Sequence, residues 1–139
     1  MARKVREVMT APPLAVEPRT PVAEVARTMR DDGIGAVLVT EGGTLRGLVT
    51  DRDLVVRVLS RGGNPDEHTV AEACSEDLVS VRPEDDIGRA AALMRDRAVR
   101  RLPVVEGSRP VGIVSLGDLA VERDPGSALA DISASDPNE

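Results

Sequence analysis

Phenylalanine, tyrosine and tryptophan are all missing from the 139 residues. Proteins that hold single-stranded RNA or DNA by stacking its bases rely on those rings, so a stacking-based nucleic-acid partner is not expected. Positive charge is short as well. Eighteen Lys plus Arg stand against 24 Asp plus Glu, and the net charge of −6 argues against a partner read through its phosphate backbone. One cysteine, Cys74, leaves no internal disulfide, and one histidine, His68, leaves no His-rich metal site and no Cys–His pair at close sequence range. Cys74 reads as a small buried hydrophobe, and His68, in the polar stretch 61–68, is given no catalytic role. No apolar run approaches the roughly 18 residues that cross a bilayer, and no basic, apolar leader opens the chain, so no membrane is expected and the cytoplasm is the default location.

What is present is a globular balance of 41% hydrophobic and 30% charged residues, with a core to be built from Val, Leu, Ile, Ala and Met. The chain also repeats itself. An offset of 65 positions carries Val5 onto Val70, Glu7 onto Glu72, Val16 onto Val81, Pro18 onto Pro83 and Ala26 onto Ala91. The same offset, without a gap, carries Met29-Arg30-Asp31 onto Met94-Arg95-Asp96, Gly47 onto Gly112 and Asp53-Leu54 onto Asp118-Leu119. The organisation expected is copy one over 3–60, a Gly/Pro linker over 61–69, copy two over 70–121 and a mobile acidic tail over 122–139.

Each copy has the same order of elements. After a lead-in comes a short extended piece, Leu14 to Val16 or Leu78 to Val81, closed by a proline two residues on. A helix follows, capped in copy one by Thr20 with Pro21 in its first turn. Val22, Val25, Ala26 and Met29, and in copy two Ile87, Ala90, Ala91 and Met94, form its apolar stripe. Two apolar runs split by Glu41-Gly42-Gly43-Thr44, or by Glu106-Gly107-Ser108-Arg109-Pro110, predict a β-hairpin. A closing helix starts near Asp51 and near Leu116. The fold class is therefore α/β (α+β), two β-α-β-β-α repeats. A unit of roughly 50 residues exposes too much apolar surface alone, so the copies are expected to pack through their sheets with pseudo-two-fold symmetry, leaving one cleft per copy.

The segments Gly47-Leu48-Val49-Thr50-Asp51-Arg52-Asp53-Leu54 and Gly112-Ile113-Val114-Ser115-Leu116-Gly117-Asp118-Leu119 share the form Gly-apolar-apolar-hydroxyl-x-x-Asp-Leu. Here a strand runs straight into a helix, and free N–H groups with a hydroxyl gather where an anion is favoured. An aspartate one turn in can accept two hydrogen bonds, as the paired hydroxyls of a ribose would offer. The same residues, Thr50-x-x-Asp53 and Ser115-x-x-Asp118, are close to capping boxes, which need no ligand.

The lead-in Val8-Met9-Thr10, the Val16-x-Pro18 strand end, the strand Arg101-Leu102-Pro103-Val104-Val105 and the two corner segments resemble those of cystathionine-β-synthase-type (CBS) domains. The likeness covers nearly all of residues 3–121, in both copies and in order. It implies a stand-alone CBS pair, or Bateman module, similar to the small hypoxic-response type. It also implies clefts that bind AMP, ADP, ATP or S-adenosylmethionine. By the same resemblance Asp53 and Asp118 hold ribose hydroxyls, Thr50 and Ser115 approach phosphate or sugar, and Arg100 and Arg101 face phosphates. Met9, Thr10, Cys74, Ser75 and Pro103 edge the base pocket. Copy one has Gly35-Ala36 in place of the arginine pair, with Arg52 as a partial substitute, so the cleft of Ser115 and Asp118 is expected to be the better site.

No catalytic residue, required cofactor or metal ligand set is expected, since the chain has no Walker-type loop and no clustered ligands. A regulator that passes nucleotide binding to a partner protein is the primary expectation. The alternative is a dimeric interaction module with degenerate clefts. The resemblance also implies a homodimer, for which the face of Leu54, Val55, Val56, Val58 and Leu59 offers the apolar surface.

Overall fold

The computed structural model describes residues 3–75, 78–123 and 126–134. Helix α1 spans Val5–Val8, strand β1 Ala15–Val16, helix α2 Val22–Asp32, strands β2 and β3 Ala36–Glu41 and Thr44–Thr50. Helix α3, Asp51–Asp53, runs on through a π-helical stretch, Leu54–Val58, and a 3-10 turn, Leu59–Arg61. A second 3-10 turn, Val70–Glu72, precedes helix α4, Ile87–Arg97, strands β4 and β5, Arg101–Glu106 and Arg109–Ser115, helix α5, Leu116–Arg123, and helix α6, Ala128–Ala134.

These elements form two compact units whose limits differ from those of the repeats. The first unit is contiguous, Leu14–Leu78. The second joins residues 3–13 to the chain from Val79 onward. Each copy has therefore given up its lead-in. Val5 of α1 is fully buried among Val81, Ile87, Ala90, Leu102 and Leu119 of copy two. Val70, its mate, is fully buried among Val22, Val25, Val37 and Val49 of copy one.

The exchange is held by backbone bonds that recur at the repeat offset. Helix α2 starts after Pro21, which has no side-chain cap. Its Val22 N–H donates instead to the His68 carbonyl at 2.8 Å, and Ala23 N–H to Pro65 at 3.1 Å. Thr20, expected as the cap, does not cap: a proline follows it, and the helix begins one residue later with linker carbonyls on its free amides. In the second unit Ile87 N–H donates to Arg3 O at 3.0 Å in the same way. Each lead-in is itself closed by a glutamate, with Lys4 N–H on Glu7 Oε2 and Thr69 N–H on Glu72 Oε2, both at 2.7 Å. Glu72 Oε1 also lies 3.1 Å from His68 Nδ1, and these bonds hold its carboxyl below the usual value, the His68 contact contributing most.

The first unit has a three-stranded sheet, β1-β2-β3, with β1 parallel and β3 antiparallel to β2. Gly42 and Gly43, both at positive φ, make the tight turn between β2 and β3. The second unit keeps the β4–β5 hairpin, but the expected strand Leu78 to Val81 is reduced to one parallel bridge, Val81 to Val104. Proline accounts for the loss. In copy one Leu38 N–H donates to Leu14 O at 3.0 Å, and the residue in Leu38's place is Pro103, which has no N–H to give. Stripe residues Val22, Val25 and Met29, and Ile87, Ala90 and Met94, are buried as expected, whereas Ala26 is exposed and Ala91 half-buried.

Part of the segment read as a mobile tail is helical: α6 packs on α5. Its three alanines, Ala128, Ala130 and Ala134, favour the helix. Residues 135–139 lie outside the described residues.

Helix α2 ends on Gly33 at φ 64°, and α4 ends at the matching position on Ala98, the one described non-glycine residue at positive φ, 54°. A Cβ in that conformation costs about 1–2 kcal/mol, part of which glycine returns through its freer unfolded chain. Ala98→Gly is expected to stabilise the protein by about 0.5–1 kcal/mol, raising the melting temperature by a few degrees in calorimetry. An unchanged or lower melting temperature would show that the methyl group, not the backbone, governs this turn.

Candidate functional site

Two strand-to-helix corners, one in each unit, carry the residues singled out in the sequence. In corner one, Thr50 N–H donates to Asp53 Oδ2 at 2.9 Å and Asp53 N–H donates to Thr50 Oγ1 at 3.1 Å. In corner two, Ser115 N–H donates to Asp118 Oδ2 at 2.8 Å and Asp118 N–H donates to Ser115 Oγ at 3.1 Å. Both are complete capping boxes. One oxygen of each carboxylate is thus spent on the backbone, and what a ligand can use is the other.

The second oxygens differ. Asp53 Oδ1 lies 3.7 Å from Arg57 Nε. Among the described residues no side chain pairs with Asp118 Oδ1, and no buried side-chain oxygen lacks a partner, so that atom reaches solvent. Both aspartates are half-buried.

The exchanged lead-ins form the wall beside each corner. Thr10 pairs with Ile113, two residues before Ser115, through Thr10 N–H on Ile113 O at 2.8 Å and Ile113 N–H on Thr10 O at 3.1 Å. Ser75 N–H donates to Leu48 O at 3.1 Å, two residues before Thr50. The repeated glycine exists for this crossing. A Cβ on Gly112 would stand 2.6 Å from Met9 Sδ and 3.0 Å from Thr10 O, and one on Gly47 2.8 Å from Cys74 Sγ and 3.1 Å from Ser75 O. Met9 and Thr10 therefore belong with Ser115 and Asp118, and Cys74 and Ser75 with Thr50 and Asp53, a pairing that the linear order of the copies conceals.

Arg101 lies opposite Ser115 in the β4–β5 register, and the Arg100 carbonyl accepts from Leu116 N–H at 2.8 Å. Arg100 is exposed and Arg101 half-buried, and neither has an ion-pair partner among the described residues. Corner one has Gly35 in the same place, its carbonyl accepting from Asp51 N–H at 3.0 Å. Arg52 is exposed, its own N–H turned to Asp51 Oδ1 at 2.8 Å. Pro103 is buried in β4 opposite Ile113.

A hollow of about 560 Å³ opens between α4 and α5 of the second unit. Met94, Ala98, Val99, Leu116 and Arg100 line it, but Ser115 and Asp118 do not, so it neighbours corner two without containing its hydroxyl and carboxylate. The face expected to pair two copies divides. Leu54 and Val58, one helical turn apart, are buried in the first unit's own core, a correction to the five-residue patch, whereas Val55, Val56 and Leu59 stand outward.

Sequence reasoning missed Arg57 and its mate. The signal was a charge reversal within the repeat: the offset that carries Asp53 onto Asp118 carries Arg57 onto Glu122. Among the described residues no group of His, Cys, Asp and Glu is placed to hold a metal ion, and no helix is long and apolar enough to cross a membrane.

Comparison with known proteins agrees with this architecture. The model for the family described as CBS domain matches twice, over residues 5–60 and 70–123. The CBS domain-containing protein YhcV of Bacillus subtilis is 39% identical over 133 residues, covering 93% of this chain and 94% of that one. Hypoxic response protein 1 of Mycobacterium tuberculosis is 32% identical over 116 residues, covering 83% and 81%. Among solved structures, the CBS domain pair of MJ0100, crystallised with 5′-methylthioadenosine and S-adenosylmethionine, has the same fold, with a TM-score of 0.82, 19% identity and coverage of 91% and 100%. Twofold family match, duplicated corners and shared fold together place the chain in the CBS-domain family, as a tandem pair and so a regulatory module.

Proposed function

We propose that the chain is a non-enzymatic sensor that binds an adenosine-type nucleotide (AMP, ADP, ATP or S-adenosylmethionine) at its corners and passes that occupancy to a partner protein. One observation carries it: Asp118 keeps an oxygen in reach of solvent after completing its capping box, beside the Ser115 hydroxyl. Arg101 stands opposite Ser115 in register, and no described side chain neutralises it. An acceptor for ribose hydroxyls and a cation for phosphate thus sit on one corner. No cofactor is required, and the place of action is the cytoplasm. Two copies pair through Val55, Val56 and Leu59, which are about half exposed at 54%, 46% and 49%.

A second function is favoured by a different observation. The capping boxes are satisfied without any ligand, as they would be in a dimeric interaction module whose clefts are degenerate.

Thermal shift separates the two. A ligand at a hundred times its dissociation constant stabilises by about 2.7 kcal/mol, so at least one of AMP, ADP, ATP and S-adenosylmethionine should raise the melting temperature. Asp118→Asn keeps an amide oxygen for the cap, and Asp118→Ala does not. Both are expected to weaken binding about ten-fold or more, while only Asp118→Ala loses about 1 kcal/mol of unliganded stability. No shift with any nucleotide supports the interaction module.

A further inference from the structure

The two corners are not equally open, and the reason is a residue outside the shared motif. Arg57 extends its guanidinium across corner one. Its Nε lies 3.7 Å from Asp53 Oδ1, the oxygen left over from the capping box, and its Nη1 donates to the Cys74 carbonyl at 3.4 Å. It therefore joins the carboxylate on one wall to the crossing lead-in on the other. In corner two the matching residue is Glu122, a carboxylate drawn away to Arg3 Nη2 at 3.2 Å, and nothing described bridges Asp118 to Met9.

We infer that Arg57 is a built-in plug that closes corner one to the ligand, so that each chain takes one nucleotide, at corner two. The assignment rests on the nucleotide binding proposed above and names which corner performs it. Electrostatics and geometry act together. A guanidinium beside Asp53 competes with ribose hydroxyls for the one spare oxygen, and it spans from that carboxylate to the Cys74 carbonyl, where a sugar held by Asp53 would have to lie. The duplication supplies the internal control, because the two corners agree in the hydroxyl and the aspartate and differ at this position.

Titration calorimetry on the full chain, with AMP, ATP and S-adenosylmethionine tested separately, decides it. The unaltered protein is expected to bind one equivalent, weakened by Asp118→Asn and unaffected by Asp53→Asn. Arg57→Ala should open a second site, gaining about ten-fold or more in affinity at corner one, and the double variant with Asp53→Asn should lose it again. Glu122→Arg should install the plug at corner two and weaken binding there about ten-fold, while Glu122→Gln, which gives up the same Arg3 pair, should not. Arg57 is about half exposed (45%), so its loss leaves the fold standing. One site in both the unaltered protein and Arg57→Ala overturns the plug and leaves nucleotide binding intact. So do two sites in the unaltered protein, one of them sensitive to Asp53→Asn. No heat with any of the three compounds in any variant overturns the nucleotide binding, and the plug with it.

Discussion

Val5→Asp, a change in the first copy's lead-in, is expected to unfold the sheet of the second copy. Val5 has no exposed surface, and its neighbours Val81, Ile87, Ala90 and Leu102 offer a carboxylate no partner. An unpaired charge in such a place costs several kcal/mol, against a total stability of roughly 5–15 kcal/mol for a domain. The backbone on either side would go too: Val5 N–H donates to Asp85 O at 2.8 Å, Arg6 N–H to Pro83 O at 3.0 Å, and the Arg3 carbonyl holds the first amide of α4. Native-state hydrogen exchange should show protection collapsing in α4, β4 and β5 by far more than in α2, β2 and β3. Val70→Asp should give the reverse pattern. If Val5→Asp instead exposes β2 and β3, the lead-ins are not exchanged and the assembly of both units described above is wrong.

Gly112→Val is expected to cost about 1–3 kcal/mol, with Gly47→Val a matching loss in the first unit. The added carbons meet Met9 Sδ and the Thr10 carbonyl, and β-branching leaves few rotamers that avoid them. The Met9 side chain can swing aside, but the Thr10 carbonyl can give way only by shifting the lead-in off β5, which breaks the reciprocal Thr10–Ile113 bonds. Denaturant unfolding measures the loss. Gly112→Ala combined with Met9→Ala should recover part of it, since the shortest contact is to a flexible side chain. Gly88→Ala is the control: nothing lies within 4 Å of its new carbon on α4, and it should be neutral or stabilising by up to about 1 kcal/mol. Equal behaviour of Gly88→Ala and Gly112→Ala would show that the lead-in does not lie on the strand.

Local pattern made much of this architecture legible. The Gly42-Gly43 turn, the spacing of Val22, Val25 and Met29, and the hydroxyl-x-x-Asp corners are each written in a few neighbouring residues, and the structure has each of them. Long-range choices were not legible. An offset of 65 positions is satisfied equally by a lead-in folding back on its own copy and by one crossing to the other, because the core positions for Val5 and Val70 are alike. Gly47 and Gly112 announce a close backbone approach without saying whose backbone it is. The effect of Pro103 on the strand beside it, which its missing N–H reduces to a bridge at Val81, lies across the sheet and is not written in the local pattern. In the tail the Asp, Ser and Pro content masks the alanines of α6. At the corners the capping boxes are legible from the hydroxyl-x-x-Asp spacing, and the spare oxygen is not. Only coordinates distinguish an Asp53 bridged by Arg57 from an Asp118 still accessible.

The exchanged lead-ins decide how the molecule can be dissected. Residues 14–78 carry a whole compact unit on one uninterrupted stretch, its closing segment at the carboxyl end. The other unit is split by that stretch, so a gene cut at the boundary between the two copies yields two fragments that each lack a core residue held by the other. To express the split unit on a single polypeptide, the cloned sequence must either omit residues 14–78, joining residue 13 to residue 79, or be permuted, with residues 3–13 appended after the last helix.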